Sequence, residues 1–324
     1  MSTSSTDPTG AATATGARRP HAVVAGEALV DIVVPTAGQR EQAPGGSPLN
    51  VAVGLARLGI DTLLVTELGD DHNGRLVEHH VRGSGVRLHP DAVRPGRATS
   101  TATARLDATG AATYAFDLRW ELGRVDLPPE SDALHVGSVG ALLRPGRDAV
   151  LDLVESAARR GALVSYDPNA RPALTPDAAQ AWLDVQEVAA SADLVKMSDE
   201  DLTFLAAGRT PEEVAGRLLA QRTRLFVVTH GGGGAVAFTR GCSVAAPSGH
   251  VGVVDTVGAG DSFMAALVAV ALEHGLEDLS ERRLSAYLAA AHQVGAITVS
   301  RRGADPPRRD ELPAGWPNVP SGTG

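Results

Sequence analysis

The chain has 324 residues, of which 43% are hydrophobic and only 3% aromatic, with a formal net charge of −9. That length allows a large core filled mainly by Ala, Val and Leu, and the acidic balance argues against a nucleic-acid partner, because no basic face is there to neutralise a phosphate backbone. A single cysteine, Cys242, excludes a disulfide framework and fits a reducing, cytoplasmic setting, and no apolar run reaches the roughly 18 residues of a membrane span.

The opening MSTSSTDPTGAATATGARRP is small and polar and lacks the apolar stretch of a secretory signal, so residues 1–20 are expected to form a disordered tail. One ordered domain is expected over 21–318, with 319–324 as a second tail. HAVVAGEALVDIVV, from His21, is a β-rich run broken at Gly26-Glu27. SPLNVAVGLARLG reads as a helix with Ser47 as N-cap, Pro48 at its first position and Gly59 ending it in a left-handed turn. TLLVTELG is a buried strand ending near Gly69. The segment TSTATARLDATGAATYAFDLRW has the pattern of two strands around the turn Asp107-Ala108-Thr109-Gly110. With the 31–43 region, residues 98–122 are expected to form a small β-sheet lid.

After Asp132 the alternation becomes regular. ALHVGSV, ALVSYDP, DLVKMS and LFVVTHG are short apolar runs separated by helical stretches, which predicts a mostly parallel sheet covered by helices on both faces. Asp167, Ser198 and Thr229 close three of these runs and would lie at the carboxyl ends of strands, where open α/β sheets bind ligands. Two helices are expected at the end, from about Gly258 to Gly275 and from about Glu281 to Val299.

The segment Asp255-Thr256-Val257-Gly258-Ala259-Gly260-Asp261-Ser262-Phe263 carries the strongest chemical signal. Small residues at 258–260 lead directly into a helix, where backbone N–H groups and the helix dipole favour an anion. Asp261 in that place could be a plain first-turn carboxylate. Phosphoryl transfer gives another reason for the pairing: growing negative charge needs preorganised donors, and an attacking hydroxyl needs a base. Neither a G-x-x-x-x-G-K-[ST] loop nor the protein-kinase motifs occur.

This segment resembles the C-terminal signature of the ribokinase-like (PfkB) carbohydrate kinases, and Gly45-Gly46-Ser47-Pro48-Leu49-Asn50 is similar to their N-terminal signature. The resemblance runs from about Val23 to Pro307. It implies a ribokinase-like three-layer α/β/α sandwich with a small β-sheet lid, and an enzyme that uses ATP and Mg²⁺ to phosphorylate a small sugar. It also implies an anion hole at Gly258, Ala259 and Gly260, with Asp261 as catalytic base. Asp31 would bind sugar hydroxyls, Gly45 and Gly46 would admit the sugar to the backbone, and Asn50 would help hold it. Lys196, Ser198 and Asp201 match the segment where many relatives carry Asn-x-x-Glu near Mg²⁺ and phosphates. Ser198 and Asp201 depart from that pattern and could equally be a helix-capping pair. Thr229, Gly231 and Gly234 match a turn beside the nucleotide, His292 lies in a segment like the one flanking adenine, and Asp255 and Val257 match positions that hold a monovalent cation such as K⁺ in several relatives.

Asp167-Pro168-Asn169-Ala170-Arg171 resembles a D-x-N-x-R segment of bacterial fructokinases and 2-keto-3-deoxygluconate kinases, so Arg171 is a candidate for the sugar site or for a local cap. GEALVDIV, FDLRWEL and VKMSDEDL read closer to fructokinase than to ribokinase, which favours conversion of fructose to fructose 6-phosphate. The alternatives are a 2-keto-3-deoxygluconate kinase, a ribokinase or a nucleoside kinase, and, from another class, a non-catalytic sugar or nucleotide sensor. A homodimer is compatible with this reading.

Overall fold

The computed structural model describes residues 18–36, 38–107 and 112–320. The chain runs β1 (His21–Ala25), β2 (Leu29–Val34), β3 (Glu41–Gly45), α1 (Ser47–Arg57), β4 (Asp61–Val65), β5 (Leu68–Gly69), α2 (His72–Gly83), β6 (Arg87–Leu88) and β7 (Val93–Arg94). It continues with β8 (Thr101–Leu106), β9 (Ala112–Asp117), β10 (Ala133–Gly137), α3 (Gly146–Arg160), β11 (Leu163–Asp167), α4 (Ala178–Ala189), β12 (Leu194–Ser198) and α5 (Asp199–Leu205). The last part holds α6 (Pro211–Leu219), β13 (Leu225–Thr229), β14 (Ala235–Phe238), β15 (Ser243–Ala246), α7 (Ala259–His274) and α8 (Glu281–Val299).

Nine strands form the central sheet in the order β15-β14-β13-β12-β11-β10-β1-β4-β6. The pairs from β6 to β13 are parallel, and β14 and β15 add an antiparallel edge. The strands are continuous apolar runs because both faces are covered. In β1, Ala22 and Val24 enter one core while Val23 and Ala25 enter the other, and β13 divides Leu225 and Val227 from Phe226 and Val228 in the same way. Helices α1, α2, α7 and α8 cover the first face, and α3, α4, α5 and α6 the second. The expected α/β/α sandwich is the observed fold.

A second sheet, in the order β3-β2-β8-β9, is separate from the central sheet, and Val30 and Ile32 of β2 join the core on its first face. β2 pairs with β8 in parallel and the other two pairings are antiparallel. It comprises the two segments expected to form the lid. The turn expected between β8 and β9 falls largely outside the described residues, as do residues 1–17 and 321–324 of the two expected tails. Residues 18–20 differ from the tail expectation. Arg18 pairs with Asp132 at 2.6 Å, and the Pro20 carbonyl accepts the Asp61 N–H. TLLVTELG is two strands, β4 and β5, rather than one.

The start of α1 is a further correction. Gly46, at φ 106°, is the N-cap, and Ser47 is the first helical residue with Pro48 behind it. The Ser47 hydroxyl therefore does not cap α1. It is used elsewhere.

Candidate active site

Helices α1 and α7 lie side by side on one face of the sheet, and small residues bring them close. A β-carbon on Gly54 would stand 2.7 Å from the Ala265 Cβ. This packing carries the first turns of both helices to the carboxyl ends of the parallel strands. Asp261, in the first turn of α7, is only 7% exposed there. Its Oδ1 accepts from the Ser47 hydroxyl at 2.7 Å and its Oδ2 from Asn50 Nδ2 at 2.8 Å. Gly258, the N-cap of α7, has φ 73°, and a β-carbon on it would stand 2.5 Å from the Ala304 Cβ. The first N–H groups of a helix lack intrahelical acceptors, so this start can receive an anion beside Asp261.

Asp31 on β2 turns back over Gly45, and its charge is felt by Asp261 and by Arg171. Partial burial in the cleft pushes its carboxyl up to about 6; the Arg171 guanidinium pulls it down and Asp261 pushes it further up. The carboxylate still meets solvent, so screening keeps the electrostatic cost small. Arg171 Nη1 donates to Asn169 Oδ1 at 2.7 Å and to the carbonyls of Asn169 and Ala170, so it braces its own loop while its charge reaches Asp31. Glu27 is nearby and 5% exposed. It accepts the Gly140 N–H at 2.8 Å, and burial pushes it up to about 7 against the hydrogen bonds from Ser138 and Gly140.

On the other side of Gly260 opens a cleft of about 480 Å³. Thr229, Gly231, Gly234, Ala259, Gly260 and His292 of the sequence-derived candidates line it. His292 meets the Phe263 ring edge-on at 5.2 Å, and burial lowers its pKa, leaving it a neutral aromatic wall. Ser248, Val251, Val253, Thr256, Gly295 and Ala296 also line the cleft. Thr256 lies in the signature segment and Gly295 and Ala296 in the His292 segment, whereas Ser248, Val251 and Val253 were not anticipated, because a loop without regular periodicity carries no local signal of a shared wall.

Lys196 and Ser198 lie outside that wall. Lys196, 3% exposed, spends its ammonium on Asp167 at 2.9 Å. It lies under the first turn of α7, since Nζ is 3.6 Å from the position a Gly260 β-carbon would take. Burial alone would lower its pKa, but the carboxylates of Asp167, Asp201 and Asp261 outweigh that and hold it raised. Burial pushes Asp167 up to about 6 against the pull of Lys196. Ser198 and Asp201 form the capping box of α5. Asp201 Oδ2 accepts the Ser198 N–H and hydroxyl at 2.9 and 2.8 Å, and Oδ1 accepts the Ala170 N–H at 2.7 Å. Asp201 thus has the local helix-capping role that the sequence offered as the alternative to a metal contact. Asp255 accepts the N–H groups of Val257 and Gly303, which hold its carboxyl below the usual range. Among the described residues no group of three or more His, Cys, Asp or Glu could hold a metal ion.

The pfkB family of carbohydrate kinases matches the chain over residues 20–311. The chain belongs to this family. Among its pfkB relatives is a fructokinase from Klebsiella pneumoniae, 35% identical over 298 residues, which cover 89% of this chain and 97% of that one. The fructokinase of Xylella fastidiosa, solved with bound ATP, superimposes with a TM-score of 0.79 at 27% identity, covering 90% of this chain and 95% of its own. A Vibrio cholerae fructokinase double mutant, solved with fructose, ADP and potassium, gives 0.74 at 26% identity over 88% of this chain and 94% of its own. Residues 20–311 take in both signatures of this pfkB kinase, so Ser47, Asn50 and Asp261 meet from opposite ends of the family's span.

Proposed function

We propose that this protein is an ATP-dependent fructokinase. The observation that carries the reading is the place of Asp261. It stands buried at the start of α7, between a cleft walled by Ala259, Gly260 and His292 and the Asp31 side of the small sheet. ATP fits the cleft, with adenine toward His292 and phosphates toward Gly260. The sugar fits between Asp31, Gly45, Gly46 and Asn50, with Arg171 supplying charge at its edge.

In the reaction, a fructose hydroxyl oxygen attacks the γ-phosphorus. The bond to the β,γ-bridging oxygen breaks, ADP leaves, and the hydroxyl proton passes to Asp261. The first turn of α7 stabilises the negative charge that grows on the transferred group. Magnesium would be carried mainly on the phosphates and water and would neutralise part of that charge. Asp255, held ionised, is the carboxylate that would face a monovalent cation in the 255–257 loop. A cytoplasmic site of action suits the free Cys242.

The test is ADP release with a panel of fructose, ribose, 2-keto-3-deoxygluconate and adenosine. Fructose is expected to give the highest kcat/KM. A higher value for another acceptor would reassign the sugar within the family. Sugar binding without turnover of any acceptor would leave a sensor.

A further inference from the structure

We propose that Ser47 is a positioning residue for phosphoryl transfer, one jaw of a clamp with Asn50 that fixes the plane of the Asp261 carboxylate; this rests on the reading of Asp261 as the base. The clamp is built from a single turn of α1. Ser47 and Asn50, three residues apart, share one helix face and reach the two oxygens separately, Oδ1 at 2.7 Å and Oδ2 at 2.8 Å. All three side chains are buried, none more than 9% exposed, so water competes little for these bonds. The helix offers Ser47 the ordinary task of capping, yet Gly46 takes the N-cap position and makes no side-chain cap bond. The hydroxyl is thereby free to donate across 214 residues to Asp261.

Two consequences follow for the chemistry. A carboxylate oxygen accepts more than one hydrogen bond, so each oxygen keeps a lone pair for the sugar proton while the clamp prevents the group from turning away. A base must be held within hydrogen-bond reach of the proton it takes, and a small misplacement is costly. The clamp also joins the base to the sugar side, because Ser47 follows directly on Gly45 and Gly46, and Asp31 lies against Gly45. A sugar that seats on Asp31 and the diglycine settles the first turn of α1, and with it the base.

The experiment compares Ser47→Ala, Asp261→Asn and the double variant, each first shown to bind ATP and to melt cooperatively. Ser47→Ala is expected to lower kcat about ten- to a hundredfold, the worth of one hydrogen bond to a charged group, with KM for ATP within about twofold. Loss of a donor to the ionised form also moves the acid limb of the kcat profile to higher pH. Ser47→Thr, which keeps the hydroxyl, is expected to recover most of the rate. In the Asp261→Asn background Ser47→Ala is expected to cost nothing further, because there is no base left to orient. Should Ser47→Ala not fold, Ser47→Cys, a weaker donor of similar size, gives the same reading. An unaltered kcat and pH profile in Ser47→Ala, or additive losses in the double variant, would overturn the clamp while leaving the base intact. Near-normal turnover in Asp261→Asn would remove the base assignment and the clamp together.

Discussion

A β-carbon on Gly45 would stand 2.0 Å from Oδ2 of Asp31. The missing side chain at 45 is therefore what lets Asp31 fold back over the end of β3 and face the sugar side. Leu29 and Gly45 are register partners in the small sheet, as are Asp31 and Ala43, so neither strand can slip to relieve a clash. Gly45→Ala is expected to swing the carboxylate aside and raise KM for fructose about ten- to a hundredfold, the loss of one charged hydrogen bond. KM for ATP should hold, and Asp31→Ala should match the effect. Steady-state kinetics with each substrate varied separately checks this; a rise confined to ATP would place Asp31 elsewhere.

Much of this site was legible in the sequence because it lies in two short signatures whose residue types have local reasons. Glycines at 45, 46 and 258 and the acidic first turn of α7 are such residues, and the apolar runs from Leu134 to Val228 announce a sheet buried on both faces. What the sequence hid was contact across distance. Ser47 before Pro48 reads as a cap, and only the packing of α1 on α7 shows its hydroxyl at Asp261. Lys196 sits in an apolar strand run, and only the pairing of β12 with the neighbouring β11 shows that Asp167 holds its ammonium. The antiparallel edge β14–β15 follows four consecutive glycines whose pattern fits a loop as well as a hairpin.

The Asp167–Lys196 pair makes a stability prediction. Removing one partner of a buried ion pair leaves an uncompensated charge, which costs about 3–5 kcal/mol. Lys196→Met is expected to show that loss in urea unfolding at pH 8. At pH 5 the loss should be smaller, because Asp167, whose pKa lies near 6 even with Lys196 present, is by then largely protonated in the parent as well. An equal loss at both values would mean that Asp167 is not the group left unpaired.

Glu27 predicts a stability that falls as pH rises. Its folded pKa, about 7, lies above the ordinary 4.5, so between those values the folded state holds a proton that the unfolded state has released. Stability is then greatest below about 4.5 and falls as pH rises through 7. Glu27→Gln mimics the protonated acid and keeps an acceptor for the Gly140 N–H. It should match the parent at pH 4.5 and exceed it above pH 7, by on the order of 3 kcal/mol. Thermal melts at the two values decide it, and a variant less stable at pH 8 than the parent would mean that Glu27 is charged in the fold.

The small sheet predicts a motion. Strands β8 and β9 are too small to be stable alone, and they lean on β2, which carries Asp31. One face remains uncovered, with Tyr114 64% exposed and stacked on Phe116 at 6.3 Å. Phosphoryl transfer in the open would let water compete with the sugar for ATP, so a sheet that closes over the sugar has a chemical purpose. A sugar bound by Asp31 would grip β2 directly, and through the β2–β8 pairing that grip would extend to the hairpin. Saturating fructose is expected to slow hydrogen exchange across residues 98–122, whereas nucleotide alone should protect mainly the 229–234 and 258–260 segments. A fixed hairpin or one held against a second copy of the chain would give the same exchange with and without sugar. Unchanged exchange at 98–122 in an enzyme that turns fructose over would therefore remove the lid.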